Sequence, residues 1–149
     1  GALMMVAEGD SLRLGDQLCF SLYVCSKEIV RRYKPFLSDI GLTYTQYITM
    51  MVLWEQKRIK VHELGKFLYL DSGTLTPLLK LLEKDGLVVR ERNSDDERVV
   101  YVSLTKKGEK LKEKAMSVPQ KICSCVNLTL EDRENLKKSL EKLLEKLSE

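Results

Sequence analysis

Residues 61–104 read VHELGKFLYLDSGTLTPLLKLLEKDGLVVRERNSDDERVVYVSL, and this stretch decides the fold. Two apolar-periodic segments, Val61–Leu68 and Ser72–Lys84, are joined only by Tyr69, Leu70 and Asp71. Their three- and four-residue spacing predicts two short helices, and so tight a connection is the outline of a helix-turn-helix. Asp71 or Ser72 can accept from the open backbone N–H groups at the start of the second helix. Pro77 falls within its first turn and a half, where a missing N–H costs least, and Gly86 supplies the stop. Beyond Gly86 the period changes. Leu87–Arg92 and Val99–Leu104 are β-rich runs separated by the polar Asn93–Arg98, which predicts a hairpin with a charged tip, a wing.

Working outward from this stretch, Leu14, Leu18, Leu22, Cys25 and Ile29 mark an amphipathic helix. Asp16 suits its positive end, Pro35 is expected to kink or interrupt it, and Gly41 to end it. A second helix is expected from about Thr45 to Trp54, capped by Thr43 or Thr45. Downstream, Thr105 can cap a helix through 106–117, with a bend at Pro119. A last helix, Leu130–Leu147, carries Leu136, Leu140, Leu143, Leu144 and Leu147 on one stripe. That is too much apolar surface for a lone helix, so a homodimer is expected. The predicted fold class is mainly α with a small β-hairpin wing, a winged helix-turn-helix. Residues 12–42 are read as an N-terminal dimerisation region, 43–105 as the DNA-binding domain and 106–149 as C-terminal dimerisation helices, all in one compact dimeric protomer.

The whole chain has 149 residues, 44% hydrophobic and 32% charged, enough for a sizeable core. Its apolar runs fall far short of a bilayer span, and no basic-then-apolar leader opens it, so no membrane is expected and a cytoplasmic location is. Gly1–Ala2–Leu3–Met4 reads as an added tetrapeptide ahead of a starting methionine and is set aside. The net charge of +3 permits a nucleic-acid partner without arguing for one. Cys19, Cys25, Cys123 and Cys125 read as intracellular thiols rather than a disulfide scaffold. Cys123 and Cys125 with the lone His62 give no complete tetrahedral metal set. His62 reads instead as a surface or phosphate-facing residue. No phosphate loop, paired-carboxylate site or Ser/His/Asp set stands out, and no cofactor is expected.

A helix fits the major groove of B-DNA and reads base edges there. On this reading Ser72–Lys84 is the reader, with the hydroxyls of Ser72, Thr74 and Thr76 near base edges and Lys80 and Lys84 at phosphates. The same residues also satisfy the ordinary needs of a capped, packed helix. In the wing, Arg92 and Arg98 flank Asp95–Asp96–Glu97. An arginine held by a neighbouring carboxylate such as Asp96 can enter a minor groove, although an exposed ion pair often means little.

Asp96–Glu97–Arg98 followed by Val99–Thr105 resembles the D-x-R…L-T wing signature of the MarR family, dimeric winged-helix regulators. Leu70–Leu79, Gln17–Leu18–Cys19–Phe20 and Leu42–Tyr47 resemble its organic-hydroperoxide sensor branch, over about residues 14 to 120. The resemblance implies a repressor, not an enzyme, that binds a pseudo-palindromic operator in double-stranded DNA as a homodimer. It assigns the peroxide-reactive thiol to Cys19, whose thiolate would attack the O–O bond and become a sulfenic acid. A place near a helix N-terminus suits a sulfur anion, while Asp16 opposes it. The resemblance carries thiol-stabilising roles to Tyr33 and Tyr44, reaching the cysteine from the partner subunit. Tyr23, four residues from Cys19 on one helical face, can contribute. Tyr47, Tyr69 and Tyr101 read as half-buried aromatics. Similar regulators resolve the sulfenic acid with a second cysteine near the C-terminus of the other chain, with a small external thiol or with backbone nitrogen. Cys123 and Cys125 are the candidates for the first route, and Cys25, off the face of Cys19, reads as a packing residue. Two alternatives remain: a regulator answering other thiol stress or a small ligand, and a thiol peroxidase.

Overall fold

The computed structural model describes residues 12–149 and forms two compact units, one ending at Val118 and one spanning Pro119–Glu149. Gly1–Met4 lies outside the described residues. In the first unit a 3-10 turn, Leu14–Asp16, precedes helix α1, Leu18–Ser38. Leu14 and Asp16 therefore do not belong to α1 as expected. Gln17 is extended, and its side chain donates back to the Arg13 carbonyl at 2.9 Å. Nor does Pro35 interrupt α1, which runs on to Ser38. A proline removes one bond to the residue four earlier. Here that loss falls next to the helix end, and the fully buried Leu37 anchors the last turn.

Helix α2, Tyr44–Gln56, is capped reciprocally: Thr43 Oγ1 accepts from the Gln46 N–H and Gln46 Oε1 accepts from the Thr43 N–H. Strand β1, Arg58–Lys60, leads into helix α3, Val61–Leu68. Helix α4, Ser72–Lys84, has the predicted bounds and takes Asp71 as its cap, Oδ1 accepting from the Thr74 N–H at 2.8 Å. The turn between α3 and α4 is closed by the Leu70 N–H on the Gly65 carbonyl at 3.0 Å. A Cβ at Gly65 would lie 2.9 Å from the Leu70 carbonyl oxygen, so the turn stays this tight only with glycine there.

Strands β2, Val88–Arg92, and β3, Val100–Leu104, form the expected hairpin. It is one part of a three-stranded antiparallel sheet in the order β1-β3-β2, with Ile59 opposite Val102 and Arg90 opposite Val102 on the other side. Strand β1 adds a third strand to the expected hairpin. Helix α5, Lys106–Ala115, is capped by Thr105. It stops short of the expected residue 117, because Met116 and Ser117 form a turn and Pro119 opens the next helix rather than bending this one.

The core of this unit gathers Leu37, Tyr47, Met50, Leu53, Trp54, Ile59 and Leu64 with Leu75, Leu79, Leu82, Val88 and Val102, all buried. Each fully buried leucine removes about 1.5–3 kcal/mol worth of apolar surface from water. The start of α5 is tied down three ways. The Trp54 indole donates to the Gly108 carbonyl at 2.8 Å, Thr105 Oγ1 donates to Gly86 at 2.6 Å, and Lys107 Nζ donates to the Asp85 carbonyl at 2.8 Å. A Cβ on Gly108 would stand 2.2 Å from the Leu87 carbonyl oxygen, so α5 meets the segment before β2 backbone to backbone.

The second unit comprises nearly all of helix α6, Val118–Cys125, and helix α7, Leu130–Leu147, as bounded from the sequence. Thr129 caps α7 by accepting from the Asp132 N–H at 3.1 Å. Glu131 and Asp132 near the start and Lys146 near the end oppose the helix dipole favourably. Leu136, Leu140, Leu144 and Leu147 line one face and are 40–72% exposed in the single chain. Among the described residues no helix is long and apolar enough to cross a membrane.

Candidate nucleic-acid interface and thiol site

Helix α4 turns Leu75, Leu78, Leu79 and Leu82 inward. By helical spacing, Lys80 and Lys84 then lie on the opposite, exposed face with Gly73 and Pro77. Ser72 and Thr74 are exposed at the N-terminal end, and Thr76 is half-buried on the flank. The proposed readers thus share the outward part of one helix whose inward face is fixed by packing.

The wing tip is organised by its own hydrogen bonds. Asp96 receives Arg98 through both carboxylate oxygens, Nε on Oδ1 at 3.0 Å and Nη2 on Oδ2 at 3.2 Å, and Oδ1 also accepts the Arg98 backbone N–H at 3.0 Å. These bonds hold the Asp96 carboxyl below its usual range, the guanidinium bond first. Arg98 itself stays 91% exposed, a guanidinium oriented but not covered. Arg92 donates to the Glu97 carbonyl at 2.8 Å, and the Asp95 N–H donates to Asn93 Oδ1 at 2.8 Å. The acidic run Asp95–Asp96–Glu97 is therefore part of the scaffold of the tip.

One joint escaped the sequence reading. Glu83, near the end of α4, accepts both the Arg90 backbone N–H and its Nε at 3.2 Å, tying the helix to β2. Arg90 is the first cause of the lowering of the Glu83 carboxyl. Arg58 of β1 stacks over the Tyr101 ring at 3.8 Å. Between α3, α4 and the wing runs a groove of about 500 Å³ lined by Lys60, His62, Ser72, Arg98 and Val100 among others. His62 is exposed there, as read from the sequence.

Cys19 is the second residue of α1, in the turn whose backbone N–H groups have no helical partner, and its thiol is exposed. Tyr23, one turn on, is 63% exposed with the Lys27 ammonium 5.9 Å from its ring centre. Tyr33 and Tyr44 do come together, their rings 5.0 Å apart. Fourteen residues of helix separate Cys19 from Tyr33, about 21 Å of rise. Within one chain this pair is thus held well away from the thiol. Tyr47, expected only half-buried, is buried and packs on both, at 5.9 and 6.4 Å. Burial first, then Tyr33 and Tyr44, push its phenol up. Its spacing of three from Tyr44 was the available signal. Cys25, read as a packing residue, is exposed in the single chain. In the second unit Cys123 and Cys125 stand exposed in the last turn of α6. No described cysteine is in a disulfide, and no three described His, Cys, Asp or Glu side chains group as a metal site.

A family model described as transcriptional regulator SarA/Rot matches residues 31–115. The organic hydroperoxide resistance transcriptional regulator of Bacillus subtilis (strain 168) is 46% identical over 138 residues, covering 93% of this chain and 94% of the relative. Among solved structures, reduced AbfR bound to DNA is similar with a TM-score of 0.81 at 35% identity, covering 95% of this chain and 97% of that one. Disulfide-formed AbfR is 38% identical with a TM-score of 0.63, covering 93% and 94%. AbfR is a protein of Staphylococcus epidermidis.

Proposed function

The chain belongs to the MarR family of winged-helix transcriptional regulators, and from that premise we propose that it is a homodimeric repressor of the cytoplasm that senses organic hydroperoxides through Cys19. The observation that carries this reading is end-to-end similarity, on one chain with an exposed Cys19, to a regulator captured reduced on DNA. In the reduced state α4 enters the major groove, with Ser72, Thr74 and Thr76 toward base edges and Lys80 and Lys84 toward phosphates. Arg98, aimed by Asp96, and Arg92 serve the adjoining minor groove. Two copies joined through α1 and α7 present two such helices to successive major grooves of a pseudo-palindromic operator.

The switching step balances without a cofactor. The Cys19 thiolate attacks the outer peroxide oxygen, the O–O bond breaks, and the alkoxide takes a proton and leaves as alcohol. Cys19 becomes a sulfenic acid. The distance along α1 supports Tyr33 and Tyr44 serving the partner's Cys19 rather than their own, with Tyr23 supplying a local hydroxyl. Cys123 or Cys125 then condenses with the sulfenic acid, releasing water. Loss of the tyrosine contacts repacks the helices and spoils the spacing of the two readers. On this reading the reaction is stoichiometric and serves regulation; sustained peroxide consumption under reductant would point to a thiol peroxidase instead.

Fluorescence anisotropy on an operator duplex tests the reading. The wild type should bind when reduced and lose at least about a hundredfold in affinity on adding cumene hydroperoxide, roughly 2.7 kcal/mol. Cys19→Ser should bind equally and remain bound. Release of that variant by hydroperoxide would overturn the assignment.

A further inference from the structure

Cys123 and Cys125 stand two residues apart in the last turn of α6, both exposed, with Cys125 the final helical residue. Only one sulfur is needed to resolve Cys19, which leaves the other without a task in the switch. From this placement we propose that the two form a dithiol relay that takes the oxidation away from Cys19 and stores it as an intrachain Cys123–Cys125 disulfide. The proposal rests on the hydroperoxide-sensor reading above and adds a second stage to it.

The local geometry allows the ring to close. Residues two apart on a helix have Cα atoms about 5.4 Å apart by helical geometry, inside the range a disulfide spans. Their Cβ bonds point some 200° apart around the axis, so the sulfurs meet only when the turn opens. That opening is small here. Residues 126–129 are not helical, so nothing beyond Cys125 has to unwind. The contacts given up include the Val126 N–H on the Ile122 carbonyl at 3.1 Å and the Ser124 hydroxyl on the Gln120 carbonyl at 3.0 Å. Helix ends open locally at far lower cost than helix centres.

The chemistry proceeds in two balanced steps. The Cys19 sulfenic acid and one thiol of the pair condense to a mixed disulfide and water. The neighbouring thiolate then attacks its own chain's sulfur, the Cys19 S–S bond breaks, and Cys19 departs as thiolate. One hydroperoxide has become alcohol and water, and the two oxidising equivalents now reside in Cys123–Cys125. Cys19 is reduced again and can meet a second hydroperoxide. This time no thiol of the pair is left to resolve it. The chain therefore registers two successive equivalents differently: the first is absorbed, the second persists on Cys19.

The test is titration of the full-length protein with one equivalent of cumene hydroperoxide per chain, then alkylation and non-reducing mass analysis. The expected product is a single chain alkylated at two thiols rather than four, with the tryptic peptide Ile122–Arg133 lighter by two hydrogens and Cys19 alkylated. In Cys123→Ser or Cys125→Ser, whichever retains the resolving thiol, a covalent dimer through Cys19 should accumulate instead. A wild type that stays a covalent dimer, with the second thiol of the pair alkylated, would overturn the relay while sparing the sensor. A Cys19→Ser protein that still forms the Ile122–Arg133 disulfide would overturn it too. A wild type with all four thiols alkylated, and single-cysteine variants with all three remaining thiols alkylated, would remove the sensor reading and the relay together.

Discussion

Helices α4 and α7 carry the same kind of leucine stripe and meet opposite fates. Leu75, Leu78, Leu79 and Leu82 of α4 are at most 8% exposed, whereas Leu136, Leu140, Leu144 and Leu147 of α7 are at least 40% exposed. The first stripe finds its cover within the chain, against α2, α3 and the sheet. The second does not find it within one copy of the chain. A periodic apolar face thus declares that a helix needs a neighbour but says nothing about which molecule supplies it. The apolar face of α4 is covered within one chain, and on the proposed reading that of α7 is covered by a second copy.

The comparison breaks first, if it breaks, at Leu79. Truncation to alanine should cost about 2–5 kcal/mol of folding stability in chemical denaturation, as for any fully buried leucine; a cost under about 1 kcal/mol would mean α4 is not held as described. Leu140→Glu should leave the secondary structure intact and convert dimer to monomer in sedimentation, because its face lies outside the single chain's core. Persistence of the dimer at micromolar concentration would place the interface elsewhere. Arg98→Ala should weaken operator binding roughly tenfold with only a small change in stability, while Lys84→Ala lowers the salt slope by about one ion instead.

Smaller effects sharpen the contrast. Thr105→Ala removes a cap and a bond to Gly86, so about 1 kcal/mol of stability should go, measured at one protein concentration. The least is electrostatic. Asp96 has its carboxyl lowered from the ordinary 3.8 by Arg98. A lowered carboxyl contributes to stability above its unfolded value and loses that contribution as pH falls through the folded one. The Arg98 Nε–H signal in NMR should therefore keep its position down past pH 3.8 and shift only below it. A shift beginning well above 3.8 would show that the clamp is absent in solution.

The elements with strong local signals were legible from residues alone. α3, α4 and α7 have the predicted bounds because each apolar period was unbroken, and for α4 the cap at Asp71 and the stop at Gly86 agreed with it. β1 was not legible: Arg58–Lys60 is three residues long, and only its pairing with β3 makes it a strand. Pro35 misled because a proline's cost depends on how much helix follows it. At the candidate site the wing was readable as charge but not as geometry. That Asp96 grips Arg98 through two oxygens, and that Glu83 reaches Arg90, are facts of three-dimensional approach. The tyrosines divided the same way: Tyr33 and Tyr44 came from resemblance, and Tyr47 beneath them only from packing.

The three bonds at the start of α5 have a mechanical consequence. Trp54, Thr105 and Lys107 pin that helix to α2 and to the end of α4, and the bare backbone of Gly108 seats it without any cushioning side chain. Gly108 is in effect a fulcrum and the rest of α5 its lever arm. A torque applied near Ala115 meets its resistance at this pivot, in α2 and in the residues just after α4.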